Sequence, residues 1–177
     1  MSIQTTANTL FRSMTYADID SIIARLEEQN YNNSREVLET YFSEQENGER
    51  IIIVAEFDGE VAGYVTLLPQ VKDAVPFLER KIPEIKDFNV LEKFRRRGIG
   101  TMLMDEIEAA AAKIADTVCL GVGLHSGYGA AQRMYAKRGY IPDGSGIWEG
   151  DKPAEPYGTV MNDDDLILYM SKSVRTP

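Results

Sequence analysis

The sequence predicts a mixed α/β (α+β) domain: a central sheet with an antiparallel beginning, flanked by helices. Three observations predict it. Hydrophobic spacing switches between helical and strand-like periods in the order β-α-α-β-β-β-α-β-α-β-β. Asp58-Gly59 stands between two β-branched runs, the strongest short-range signal for a hairpin. A strand-like segment, IKDFNVLE, passes through an arginine- and glycine-rich turn directly into an amphipathic helix. At 177 residues the chain fits a single domain covering residues 1–177, large enough to bury a core without disulfide or metal staples.

Thr9 to Ser13 reads as a short first strand. In TYADIDSIIARLEEQNY, Ile19, Ile22, Ile23 and Leu26 recur at helical spacing. Thr15 is a good N-cap there, with Asp18 three residues on. A second helix, SREVLETYFSEQ, starts at Ser34 and aligns Val37, Leu38, Tyr41 and Phe42. RIIIVAEF and EVAGYVTLLP are the arms of the hairpin, and the proline-punctuated PQVKDAVPFLERKIPE leads to the strand IKDFNVLE. The helix GIGTMLMDEIEAAAAKIAD sets Ile99, Leu103, Ile107 and Ile114 along one side. TVCLGVGL reads as a strand buried on both faces, and GAAQRMYAKRG as a short helix stopped by Gly139. YIPDG reads as a strand end and turn, and DLILYMSK as the closing strand. Between them GSGIWEGDKPAEPYGTVMNDDD is long enough to be a functional loop or a hairpin arm.

Composition narrows the function. A net charge of −9 argues against a general nucleic-acid binder and leaves Arg95, Arg96 and Arg97 as an isolated basic island. Cys119 is the only cysteine, so no intrachain disulfide forms, which suits a reducing compartment. Its apolar run marks it as a buried filler rather than a nucleophile. The single histidine, His125, has no partner at metal-ligand spacing, so no metal is expected. The N-terminal MSIQTTANTLFRSMT lacks the basic start and apolar core of a signal peptide. No apolar run approaches the roughly 20 residues that span a bilayer. The expectation is a soluble, cytoplasmic protein that engages neither membrane nor nucleic acid.

The stretch FRRRGIGTMLM carries the chemistry. Three adjacent arginines repel one another, and glycine weakens a helix by roughly 0.5–1 kcal/mol relative to alanine. An anion at the helix N-terminus compensates both, because that end offers unpaired N–H groups and about half a positive charge. Gly98 and Gly100 would let a bulky phosphate approach. The Walker pattern is excluded because Thr101 and Met102 follow Gly100 where it needs lysine. The dinucleotide fingerprint is excluded for want of a third glycine in a first βαβ unit. The plainer alternative is that the glycines cap a helix and the arginines are solvated.

The spacing Arg-x-x-Gly-x-Gly, as Arg95-Arg96-Arg97-Gly98-Ile99-Gly100, resembles the acetyl-CoA loop of the GNAT superfamily of N-acetyltransferases. About 30 residues downstream, YGAAQRMYAKRGY is similar to that family's Asn-x-x-Ala-x-x-x-Tyr-x-x-x-Gly-Phe/Tyr segment. The element order also matches the family from about residue 8 to residue 172. The resemblance implies a mostly antiparallel central sheet and an enzyme that moves the acetyl group of acetyl-CoA to an amine, on a small molecule or a peptide. It implies that Arg95, Arg96, Arg97, Gly98, Ile99, Gly100 and Thr101 hold the pyrophosphate. The backbone of Phe88, Asn89 and Val90 would pair with the pantetheine arm, and the Val90 N–H would meet the oxyanion. Tyr128 and Ala131 fall in the second cofactor segment, Tyr128 standing where many relatives have asparagine.

The resemblance also implies that Tyr135 hydrogen-bonds or protonates the departing thiolate. An alkyl amine is only about one part in 10³ neutral at pH 7, so a base or a water chain is useful. Asp87 matches where many relatives place an acid near the acceptor, and alternation puts it on one face with Asn89; Glu84 is the second candidate. His125 and Ser126 lie at a strand end near the expected thiol. The long segment GSGIWEGDKPAEPYGTVMNDDD contributes Trp148, Glu149 and Tyr157; an aromatic next to a carboxylate is a cradle for a cationic amine, and the alternative is that Trp148 packs a hairpin. The competing class is a non-catalytic acyl-CoA-binding sensor. Transfer to a hydroxyl and a homodimer stay open.

Overall fold

The computed structural model describes residues 9–29, 34–72 and 76–175. The leading residues read for a targeting signal, Asn30 and Tyr31 at the end of the first helical stretch, and the DAV of the connection before the cofactor strand lie outside these.

Strand β1 (Thr9–Ser13) and helix α1 (Tyr16–Glu28) meet at one buried acid. The Asp18 carboxylate accepts from the Thr15 N–H at 2.7 Å and from its Oγ1 at 2.9 Å, so the Thr15/Asp18 spacing does start the helix. Arg12 adds two hydrogen bonds to the same carboxylate, at 2.7 and 2.8 Å. Burial pushes Asp18 up, but the donors from Arg12 and Thr15 outweigh it and hold the carboxyl below its usual range.

Helix α1 buries Ile19, Ile22 and Leu26. Helix α2 (Arg35–Glu46) starts at Ser34, whose Oγ accepts the Val37 N–H at 3.3 Å. Of its predicted stripe Leu38 is buried, whereas Val37, one position off, is exposed.

Strands β2 (Ile51–Phe57) and β3 (Glu60–Leu68) flank Asp58 and Gly59, with φ of 51° and 82°. Two consecutive left-handed residues are what a type I′ hairpin turn requires. Strand β4 (Glu84–Val90) leads into helix α3 (Ile99–Ala112). Ile99, Leu103 and Ile107 are buried as predicted, but Ile114 lies beyond the helix and is exposed. The chain tightens there: Lys113 and Ile114 donate to Ala110 and Ala111, three residues back. Tightening turns Ile114 off the buried stripe.

Strand β5 (Thr117–Gly123), helix α4 (Gly129–Lys137), β6 (Ile141–Glu149), β7 (Lys152–Pro153) and β8 (Leu166–Ser173) complete the chain. Gly139, at φ 88°, stops α4 as predicted. YIPDG, expected as a strand end and turn, is strand from Ile141 onward and does not turn; it opens β6. Gly144 and Gly146, at φ 91° and 86°, let the strand bulge against β8 between Pro142 and Ile147 and then resume. The long segment after it is therefore partly a hairpin arm, pairing Trp148 with Pro153.

The eight strands form one mixed, mostly antiparallel sheet in the order β1-β2-β3-β4-β5-β8-β6-β7. The parallel neighbours are β4 and β5, paired at Glu84↔Cys119 and Ile85↔Leu120. The described residues up to Thr66 with Asp87–Ile107 form one compact unit, and Leu67–Lys86 with the residues from Glu108 onward form another. The first buries Leu26, Leu38, Val54, Leu91 and Leu103. The second is built on Val71, Phe77, Ile82, Cys119 and Tyr169, with Trp148 and Ile167 packed against them.

Candidate active site

Between β4 and α3 the chain makes a 3₁₀ turn (Glu92–Phe94) and then two left-handed residues, Arg96 at φ 61° and Gly98 at φ 79°. A Cβ on Gly98 would meet nothing within 4 Å, so the space before the helix is open. The first helical bond runs from the Met102 N–H to the Gly98 carbonyl at 3.1 Å. The amides of Ile99 and Gly100 therefore lie ahead of it, at the positive end of α3.

Gly100 has a second reason to be glycine. A Cβ there would stand 3.2 Å from Phe88 Cζ and 3.5 Å from Val90 Cγ2, so its absence lets α3 lie close on β4. Arg95, Arg96, Arg97 and Thr101 are exposed. Arg95 is turned back on the loop, donating to the Val90 carbonyl at 3.0 Å and to Glu92 at 3.2 Å. The Arg97 guanidinium lies 5.0 Å over the Phe57 ring. Thus Arg95 braces the turn, Arg97 lies over Phe57, and Arg96 is exposed.

Asp87 is exposed and has φ 48°. This left-handed backbone in mid-strand interrupts the alternation expected to align it with Asn89; Phe88 and Val90 do share a face, both meeting Gly100. The Asp87 Oδ2 accepts the Tyr41 hydroxyl at 2.6 Å. Glu84, the other candidate base, is buried on the part of β4 that pairs with β5.

In the other unit Tyr135 is buried against Tyr140, ring centroids 5.7 Å apart. Burial pushes its phenol pKa well up, so it stays protonated through the physiological range. The Tyr128 ring lies over Gly123, where a Cβ would come within 2.4 Å of it, and its hydroxyl donates to Asp164 at 2.9 Å. Ala131 follows on α4, half-buried.

His125 is held on both nitrogens. Nδ1 accepts the Gly127 N–H at 3.0 Å, so Nε2 carries the proton and donates to Asp164 at 3.0 Å. These bonds, from His125 first and then Tyr128, keep the Asp164 carboxyl below its usual range. His125 is thus a loop-bracing residue, and Ser126 begins the short turn it caps.

Trp148 donates to Ser145 Oγ at 2.7 Å and packs edge-on to Tyr169, while Glu149 accepts the Met161 N–H. Trp148 thus packs on the sheet and Glu149 ties β6 to the loop at Met161; Tyr157 is wholly exposed. Cys119 is fully buried and its thiol is pushed up by burial, the opposite of an activated nucleophile. Among the described residues no group of three His, Cys, Asp or Glu side chains could hold a metal, and no helix is long and apolar enough to cross a membrane. Tyr41 and Asp164 were not singled out as site residues by sequence. Tyr41 reads as part of an apolar stripe, and Asp164 lies in the long segment read as a loop or hairpin arm.

The acetyltransferase (GNAT) family profile matches residues 17–140, from α1 through the end of the α4 motif. The chain belongs to the GNAT acetyltransferase family. This GNAT chain is 32% identical over 79 residues to an uncharacterised N-acetyltransferase of Chlorobaculum tepidum. The match covers 45% of this chain and 46% of that protein, so the chain spans about half the length of the curated relative. An N-acetyltransferase from Staphylococcus aureus Mu50 superposes with a TM-score of 0.70 at 17% identity, covering 96% of this chain and 100% of that one. A ribosomal-protein-alanine N-acetyltransferase from Brucella melitensis gives 0.65 at 22% identity, covering 93% and 99%. At these identities the structures show a shared GNAT fold. Members of the GNAT family use acetyl-CoA as co-substrate and act on amine acceptors.

Proposed function

We propose that this protein is an N-acetyltransferase that carries the acetyl group of acetyl-CoA directly to an amine. The observation that carries the reading is the mouth of α3. There a left-handed Gly98 faces open space, the Ile99 and Gly100 amides precede the first helical bond, and exposed arginines flank the turn. A pyrophosphate fits this chemistry.

In this reading the backbone of Ile99, Gly100 and Thr101, with Arg96 and Arg97, holds the diphosphate, and Arg95 shapes the loop. The backbone of Phe88, Asn89 and Val90 holds the pantetheine arm, and Tyr128 and Ala131 belong to the second cofactor segment. The bound acyl donor supplies an activated thioester; the rest is proton handling by this chain. Asp87, an exposed carboxylate, takes a proton from the acceptor ammonium, directly or through water. It is favoured over Glu84 because Glu84 is buried. The Val90 N–H is the candidate donor to the acetyl oxygen. Tyr135, kept neutral by burial, donates to the departing sulfur.

The test is release of free CoA thiol from acetyl-CoA against polyamines, amino acids, aminoglycosides and short peptides. The expected result is thiol release that depends on one amine class, with the acetylated amine found by mass spectrometry. Binding of acetyl-CoA with silence across the panel would favour the non-catalytic acyl-CoA sensor.

A further inference from the structure

The Tyr41–Asp87 pair belongs to a longer chain of contacts within the first unit. Arg50 is buried at 6% exposure and bonded to Glu44 at 2.6 Å and to Thr66 Oγ1 at 2.8 Å. Its guanidinium lies 3.9 Å from the Tyr41 ring centroid, and Tyr41 in turn reaches Asp87 across 46 residues of sequence. A buried, doubly held cation under an aromatic ring fixes the ring plane. A phenol fixed in this way aims its hydroxyl along one line, and Asp87 occupies that line.

Asp87 itself is in a backbone conformation that L-residues rarely adopt. Such a backbone persists where the surroundings over-determine it. An exposed aspartate otherwise turns freely about its side-chain torsions, and its carboxylate would face the acceptor only part of the time. The two observations, a strained aspartate and an anchored phenol, converge on one carboxylate oxygen.

We propose that Tyr41, locked by Arg50, is a positioning residue for acetyl transfer. It holds Asp87 Oδ2 and thereby turns Oδ1 toward the proton of the acceptor amine. This rests on the reading of Asp87 as the base. The ammonium proton passes to Asp87 Oδ1, the nitrogen keeps the electron pair, and Tyr41 retains its own proton throughout. Burial first, and then the bond to Asp87, push the Tyr41 phenol pKa far above its ordinary value, which keeps it a donor.

The experiment compares Tyr41→Phe, Asp87→Asn and the double variant, with spermidine and n-butylamine as probe acceptors and 13Cζ-labelled tyrosine for NMR. Tyr41→Phe keeps the ring under Arg50 and removes only the donor. Its kcat is expected to fall about 10-fold with the acceptor KM within about 2-fold. The double variant is expected to be no worse than Asp87→Asn, since the two act as one unit. Wild-type kcat in Tyr41→Phe, with Asp87→Asn impaired, overturns the positioning role. An Asp87→Asn enzyme as active as wild type instead overturns the base assignment beneath it, and the proposal falls with it. The NMR arm needs no acceptor. The Tyr41 Cζ line is expected to move on Asp87→Asn, and a line that stays put overturns the pairing even where neither probe is acetylated.

Discussion

Replacing Gly63 by alanine tests whether the β3–β4 contact is set by steric fit. Gly63 is buried in β3, and an ideal Cβ there would stand 2.5 Å from the Asn89 carbonyl oxygen and 3.1 Å from Val90 Cα. Both are backbone atoms, so neither can swing aside as the end of a side chain would. Ordinary van der Waals contact begins near 3.4 Å, so the two segments must part by about 0.9 Å, from 3.4 − 2.5. The Leu91 N–H to Ala62 carbonyl bond, now 3.0 Å, would stretch out of hydrogen-bond range.

Overpacking costs about 1–3 kcal/mol and a lost internal hydrogen bond about 1 more, giving roughly 2–4 kcal/mol. In a chain of this length that lowers Tm by about 6–12 °C in calorimetry. Because Asn89 and Val90 belong to the strand proposed to hold the acyl donor, the acetyl-CoA dissociation constant should also rise about 10-fold. Gly98→Ala is the control for the stability readout alone, since it has positive φ but open space. It should lose only about 1 kcal/mol, from strain alone. A Gly63→Ala protein melting within about 2 °C of wild type, with unchanged acetyl-CoA affinity, would refute the steric argument.

Three further outcomes are expected. Tyr135→Phe should lower kcat about 10²-fold while leaving acetyl-CoA affinity by titration calorimetry within about 2-fold; unchanged turnover removes Tyr135 from the reaction. Glu108→Gln strips one carboxylate from both Arg138, at 2.9 Å, and Lys172, at 2.6 Å, and should cost roughly 2–3 kcal/mol by denaturant titration. Burial pushes Glu108 up, but its two partners outweigh that and hold it below its ordinary 4.5. Its stabilisation is therefore complete above about pH 4.5 and fades as pH falls through the lowered folded value, so acid unfolding should be less steep in Glu108→Gln. His125→Asn should alter turnover less than about 3-fold, because His125 braces a loop through Gly127 and Asp164; a loss of 10²-fold would return it to the chemistry.

Local signals were readable along the chain because their physics is local. Thr15 and Asp18 lie within one helical turn, Asp58-Gly59 needs only two left-handed residues, and Gly139 stops α4 by its own φ. The predicted errors also have local causes. Helical spacing carries Ile114 onto a continuing 3.6 period that tightens after Ala112, and YIPDG reads as a strand end and turn because Gly144 allows a bulge as readily as a reversal. The glycine loop was legible too, since strand, turn and helix follow one another in sequence.

By itself, then, the sequence determined the order of the main elements, the hairpin, the starts of α1 and α2 and the end of α4, and the family, all properties of neighbouring residues and short motifs; the end of α3 and the short β7 it did not give. Tertiary structure alone decided that Tyr41 reaches Asp87 from 46 residues away, and that Glu108 gathers Arg138 and Lys172 from 30 and 64 residues away. It also decided that His125 is spent on Asp164, and that Gly63 and Gly100 are required by what packs against them. The reason is physical. Propensity and periodicity act over a few bonds, whereas a hydrogen bond or a steric contact depends on distances that exist only once the chain has closed on itself.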